Sequence, residues 1–334
     1  MKKILFLLSF PLLVSAQTSK KSVSDENVFT MFYNVENLFD TINNPNTSDD
    51  EFLPESEKKW NTLRYFNKIN QLARVFSSII KDKNSNKMPD IIGLCEIENK
   101  QVIDDLLKTP TFSNHNYKIV HKDSPDGRGI DCALLYNDQI QLLNYDFIFV
   151  NNPNSKRATR DILYAKLKLS DKIINVFVNH WPSRWGGQEE SNYKRVFAAK
   201  TLRNYININL YKDDYTLIMG DFNDYPKNES LSEILIEDDL VNLMSTNSVL
   251  GKGSYNYKSS WNWLDQIIIS KNFFYPNVKV KSVGSFQKDY MLYTDKKGQS
   301  KPSRTFGGNN WYGGFSDHLP VYFQFSFISS INAK

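Results

Sequence analysis

Thr216-Leu217-Ile218-Met219-Gly220-Asp221-Phe222-Asn223 is an apolar run that closes, after one glycine, on a carboxylate and an amide. A short apolar run bounded by turn formers reads as a buried strand, so Asp221 and Asn223 stand where that strand leaves the core. The same succession recurs along the chain. Glu96 follows Ile91-Ile92-Gly93-Leu94-Cys95, Asn179-His180 follow Val176-Phe177-Val178, Asn34 and Glu36 follow Phe32-Tyr33, and Asp317-His318 stand just before the run that starts at Val321. A carboxylate at a buried strand end is costly unless it is partnered. Taken singly, each of these residues reads equally well as a turn or a helix cap. Their recurrence implies shared partners, and a cation is the natural one. Hard divalent ions such as Mg²⁺ take oxygen ligands and keep waters, and Asn34, Glu96 and Asp317 would supply an incomplete oxygen set.

Outward from these ends, strands are expected at Val28 to Tyr33, Ile91 to Cys95, Ile130 to Tyr136, Ile173 to Val178, Thr216 to Met219, Gln266 to Ile269 and Val321 to Ile328. The last has the cleanest alternation, with Val321, Phe323, Phe325 and Phe327 on one face and Tyr322, Gln324 and Ser326 on the other. Between the strands, Trp60, Leu63, Phe66, Ile69, Leu72, Ala73, Phe76, Ile79 and Ile80 form an apolar stripe of helical period. Tyr193 to Leu210 is a second helix, and Val102 to Leu107 and Leu231 to Ile236 are shorter ones. No Pro/Gly/Ser-rich linker, repeat or charge shift divides 28–330, so that span reads as one domain of mixed strands flanked by helices.

The chain has 334 residues, 40% hydrophobic and 23% charged, enough apolar surface for a large core. Its mean hydropathy of −0.49 excludes a multi-span membrane protein. Two cysteines, Cys95 and Cys132, make neither a disulfide framework nor a CxxC metal motif. Lys2-Lys3 precede an apolar run from Ile4 to Val14 that ends in Val14-Ser15-Ala16, the pattern of a cleaved secretory signal over 1–16. Residues 17–27 are then a disordered polar segment, and the expected location is exported, periplasmic or extracellular. Removing Lys2 and Lys3 leaves 39 basic against 37 acidic residues. So slight an excess permits an anionic substrate but is no nucleic-acid-coating footprint.

Phe32-Tyr33-Asn34-Val35-Glu36-Asn37-Leu38, Gly93-Leu94-Cys95-Glu96, Asn179-His180-Trp181-Pro182, Gly220-Asp221-Phe222-Asn223, Leu264-Asp265-Gln266-Ile267 and Ser316-Asp317-His318-Leu319-Pro320-Val321 together resemble the endonuclease/exonuclease/phosphatase superfamily. They stand in the family's order. The resemblance implies a DNase I-like four-layer α/β sandwich, two mixed β-sheets packed face to face with helices outside and the active site at one rim. It also implies roles. Asn34 and Glu96 resemble the metal-side pair, with Glu36 and Asp317 as additional ligands for Mg²⁺, Mn²⁺ or Ca²⁺. Asp221 and Asn223 resemble the pair that orients water and the scissile phosphate, His318 the histidine held by a carboxylate, here Asp265, and His180 the second catalytic histidine. Many members carry Gln where this chain has Cys95.

Three further residues are candidate substrate contacts: Arg128, in the turn Ser124 to Asp131, and Arg184 and Trp185, in the loop after His180. With Trp181, Trp311 and Tyr312, Trp185 forms either an aromatic rim or an internally packed group. The expected activity is metal- and histidine-assisted attack of water on a phosphodiester, foremost an exported endonuclease acting on nucleic acid. A sphingomyelinase-like or inositol-phosphatase-like esterase is the alternative, and a non-catalytic binding module on the same scaffold is remote. No obligate protein partner or integral membrane segment is expected in the mature chain.

Overall fold

The computed structural model describes residues 26–82, 87–245 and 253–328; the expected leader lies outside them. Two six-stranded mixed sheets form the body. Their strands, numbered along the chain, are β1 (Glu26–Leu38), β2 (Ile91–Ile97), β3 (Tyr117–His121), β4 (Asp131–Asn137), β5 (Gln141–Ile148), β6 (Ile162–Leu169), β7 (Lys172–His180), β8 (Tyr215–Asp221), β9 (Leu240–Asn242), β10 (Asp265–Ser270), β11 (Val278–Ser285) and β12 (Val321–Phe327). The first sheet runs β11-β12-β1-β2-β4-β3 and the second β5-β6-β7-β8-β10-β9. Among the described residues three α-helices flank them: α1 (Thr62–Asp82), α2 (Lys100–Leu107) and α3 (Gln188–Asn209).

Alternation decides the layers. Inward residues of both sheets, among them Phe32, Cys95, Leu163, Val176, Leu217, Met219, Ile267, Phe323 and Phe325, meet in one core between the sheets. On the outer face of the first sheet Phe29, Met31 and Tyr33 pack under α1 and α2. On the outer face of the second, Tyr164, Phe177 and Ile218 pack under α3. The result is the expected four-layer sandwich. Both cysteines are buried free thiols, facing each other across β2 and β4.

Some expectations shift. Glu26 and Asn27 pair with Phe327 and Ser326, so the ordered domain starts before residue 28. Helix α1 buries Ile69, Leu72, Ala73, Phe76 and Ile79, but Leu63 and Phe66 are exposed and Tyr65 takes their place. At 3.6 residues per turn, Tyr65 stays in line four residues before Ile69, while Leu63 lies about 120° round the helix. Trp60 is buried ahead of α1 among Phe52, Phe306 and Trp311. The expected helix Leu231 to Ile236 is a single π-helical turn, Ser230–Leu235.

Candidate active site

Strand direction gathers the polar ends. β1 and β2 are parallel, with Asn34 opposite Cys95, so both deliver their C-terminal ends to one rim. β7 and β8 are also parallel and place His180 opposite Asp221. β10 and β12 run antiparallel to their neighbours, which brings the first residue of β10, Asp265, beside Asp221 and the residues before β12 beside β1. Six ends thus converge on one mouth.

Local backbone aims the side chains. Register shifts interrupt the β1–β2 ladder between Asn34 and Leu38, and the β2–β4 ladder between Cys95 and Ile97. Inside these irregularities Glu36, Asn37 and Glu96 take left-handed φ of 52°, 48° and 62°, and Asn223 takes 52°. Such bulges re-aim side chains next to active sites, and left-handed non-glycine residues cluster there because packing holds them. Gly220 is required for another reason: a Cβ there would lie 2.5 Å from the Asn179 carbonyl oxygen.

Asn34 is the hub. Its Nδ2 donates to Glu96 Oε1 at 3.2 Å and to Asp221 Oδ2 at 3.1 Å, while its Oδ1 accepts the Glu36 N–H. Glu96 also accepts the Asn37 N–H at 2.8 Å. His180 Nε2 lies 3.9 Å from Glu96 Oε1 and 3.8 Å from Asp221 Oδ2, and His318 Nε2 lies 3.9 Å from Asp221 Oδ2. Asp265 Oδ2 sits 2.6 Å from His318 Nδ1. Asn223 orients the turn, accepting Arg184 on its carbonyl and donating from Nδ2 to the Trp181 carbonyl.

The two imidazoles differ in charge. Burial lowers His180 well below the usual histidine value, and the nearby Arg160 and Arg128 lower it further, so it is neutral at pH 7. Burial would lower His318 too, but Asp265 and Asp221 outweigh it and hold His318 well above that value. Asp221 is raised to about 6, chiefly by burial, against His318.

Glu36 and Asp317, expected as extra metal ligands, have other partners. Arg304 bridges them, 3.3 Å from Glu36 Oε1 and 3.0 Å from Asp317 Oδ2. Glu36 Oε2 also accepts the Thr305 N–H at 2.6 Å and lies 3.7 Å from Lys68, whose ammonium is fully buried. A carboxylate so occupied is a structural anchor. Arg184 likewise bonds Asn223, Gln188, Asp224 and Asn228, so it braces the loop behind the site. Trp181 and Trp311 pack internally, whereas Trp185, 80% exposed, and Tyr312 face solvent. Arg128 is exposed at the mouth of a cavity beside the site.

Other positioning residues carried no sequence signal. Arg160, buried, donates to the His180 and Trp181 carbonyls at 3.0 and 2.5 Å and pairs with Asp126. Tyr255 lays its ring 4.8 Å from that of His318. Ser316 donates to the Asn34 carbonyl and accepts the His318 N–H, tying β1 to the final motif; its place in Ser316-Asp317-His318 was the one available hint.

The donor set suits a divalent ion. Glu96, Asp221 and Asp265 are hard oxygen donors at one mouth, and Asp265 Oδ1 is buried with no hydrogen-bond partner. Crowded carboxylates and orphaned polar atoms are what a bound cation relieves.

The endonuclease/exonuclease/phosphatase family model matches residues 29–326. The chain belongs to that family. It is accordingly a divalent-metal-dependent phosphoester hydrolase. Comparison with curated protein sequences gives no match. Among solved structures the fold resembles Danio rerio TDP2 complexed with single-strand DNA product (14% identity, TM-score 0.56, covering 90% of this chain and 99% of that one). It also resembles the Bacteroides thetaiotaomicron mannosyl-6-phosphatase Bt3783 (16%, 0.57, 90% and 100%) and truncated Caenorhabditis elegans TDP2 (18%, 0.53, 90% and 97%).

Proposed function

We propose that this phosphoesterase is an exported, Mg²⁺-dependent phosphodiesterase that cleaves within nucleic acid chains. The observation that carries the chemistry is the trio at the rim, Asp221 Oδ2 standing 3.8 Å from His180 Nε2 and 3.9 Å from His318 Nε2, with His180 held below and His318 above the usual histidine value. Environments that push neighbouring groups apart in this way assign acid and base roles. Asp221 takes the proton from the attacking water, and Asn34 and Asn223 fix its orientation. His318, held by Asp265, gives its proton to the leaving oxygen as the P–O ester bond breaks, and His180 donates from Nε2 to a phosphoryl oxygen. Glu96 and Asn34 would hold the ion, which when bound supplies charge neutralisation on the phosphoryl oxygens. Support for a chain substrate comes from Arg128, exposed on a cavity at the mouth, and from the single-strand DNA product held by the structurally similar Danio rerio TDP2. Export rests on the leader pattern.

The phosphatase among the similar structures favours a second reading, hydrolysis of a small phosphomonoester. Plasmid DNA, single-stranded oligonucleotides, RNA, sphingomyelin, inositol phosphates and a sugar 6-phosphate, each with and without chelator, separate these. Chelator-sensitive cleavage of internal nucleic acid linkages is the expected result, and turnover confined to the sugar phosphate or the lipid overturns the reading.

A further inference from the structure

Beside the catalytic mouth lies a cavity of about 320 Å³ between the loop that precedes β6 and the loop that follows His180. This is at the small end of ligand pockets, roughly 300–1,000 Å³. Its wall carries Arg128, Arg157, Arg160 and Lys194 against a single carboxylate, Asp126. Arg160 is fixed to Asp126 and to the carbonyls of His180 and Trp181, and Arg128 lies 3.4 Å from the same Asp126. Among the described residues, Arg157 and Lys194 form no ion pair; Arg157 stands 5.9 Å from the exposed ring of Trp185. Uncompensated cations around one small volume are complementary to the oxygens of an anion, and a guanidinium matches phosphate geometry best.

We propose that this cavity is a second phosphate subsite, holding a phosphate group that the substrate carries beside the ester being cleaved. The inference rests on the phosphodiesterase reading of the adjacent centre and adds a specificity to it. Arg157 and Lys194 neutralise that phosphate and donate to its oxygens. The closeness of the two sites is built in, since Arg160 bonds the carbonyls of His180 and Trp181 from within the cavity wall. The same phosphate chemistry has two sources, an adjacent internucleotide diester or a terminal monoester.

The test compares the wild type with Arg157→Gln/Lys194→Gln and with Arg157→Lys on four substrates. Bis(p-nitrophenyl) phosphate and TpT carry one phosphate, TpTpT adds an adjacent diester, and pTpT adds a terminal monoester. The double variant is expected to raise KM about tenfold or more on the two-phosphate substrate that fits, with kcat and the one-phosphate substrates held within about twofold. Arg157→Lys keeps the charge and loses the guanidinium fork, and is expected to move the same KM in the same direction, which diffuse charge attraction would not do. A rise on TpTpT alone assigns the diester, and a rise on pTpT alone the monoester. An equal loss on all four substrates, or none on either two-phosphate substrate, overturns the subsite. Should no ester be turned over, the phosphodiesterase reading fails separately. Quenching of tryptophan fluorescence by inorganic phosphate under chelator, with Trp185→Phe as the reporter control, then decides the subsite: loss in the double variant supports it, and unchanged quenching overturns it.

Discussion

His318 keeps its proton because Asp265 Oδ2 sits 2.6 Å from its Nδ1 and Asp221 faces its other nitrogen. An imidazole oriented in this way is worth roughly 10²–10⁴ in rate. His318→Ala and His180→Ala are each expected to cut kcat by at least about 10² with an unchanged circular dichroism spectrum; near-normal turnover in His318→Ala removes the role assigned above. Asp265→Asn deletes the largest influence that raises His318, so its alkaline limb in kcat against pH moves to lower pH. Glu98 offers a stability readout. It is raised from 4.5 to about 8 by burial, opposed by the Asp40 N–H, with Asp40, Asp49 and Asp131 adding like charge. The folded state therefore holds this proton more tightly than the unfolded chain does. That contribution to stability is full below about pH 4 and is lost as pH rises through 8. Glu98→Gln can still accept the Asp40 N–H. It is expected to raise stability by on the order of 1 kcal/mol at pH 8 and hardly at all at pH 4.5 in urea titrations.

β7 and β8 lie so close at Asn179 and Gly220 that no side chain fits between them. The next residues on both strands, His180 and Asp221, inherit their spacing from that contact. Gly220→Ala is expected to destabilise by about 1–3 kcal/mol through overpacking and to lower kcat beyond what the stability loss explains, since the strand ends must separate. A folded Gly220→Ala with full activity contradicts this geometry. The strands bearing these ends were legible because each is a short apolar run closed by a polar residue. β6, Ile162–Leu169, was missed although Leu163, Ala165, Leu167 and Leu169 alternate with Tyr164, Lys166 and Lys168. Its charged face reads as surface until the outer core against α3 is seen.

At the scale of the molecule, the sandwich brings six distant segments to one mouth. Ligand binding to the folded state stabilises by about 2.7 kcal/mol at a hundredfold excess over Kd. Chelator is therefore expected to abolish turnover and to lower Tm, Mg²⁺ to restore both, and Glu96→Gln to lose the Mg²⁺ response of Tm while remaining folded. Equal Tm with and without the ion in the wild type counts against an ion held by these groups. Cleavage of a nucleic acid chain is also expected to weaken with salt, KM rising steeply between 50 and 200 mM as released counterions recover their cost. Salt-independent KM points to a neutral or small substrate.

Local pattern determined which residues could stand at strand ends, because alternation and apolar run length depend only on neighbours in the chain. It also carried the ordered motifs from Asn34 to His318. Only the folded structure decided their partners. That Arg304 claims Glu36 and Asp317, that Arg184 braces a loop, and that Arg160 and Tyr255 position the two histidines all depend on contacts between residues 13 to 268 positions apart in the chain. A side chain's charge state and role follow from what is packed against it in space, and that neighbourhood is set by how the sheets and loops close, not by adjacency in sequence.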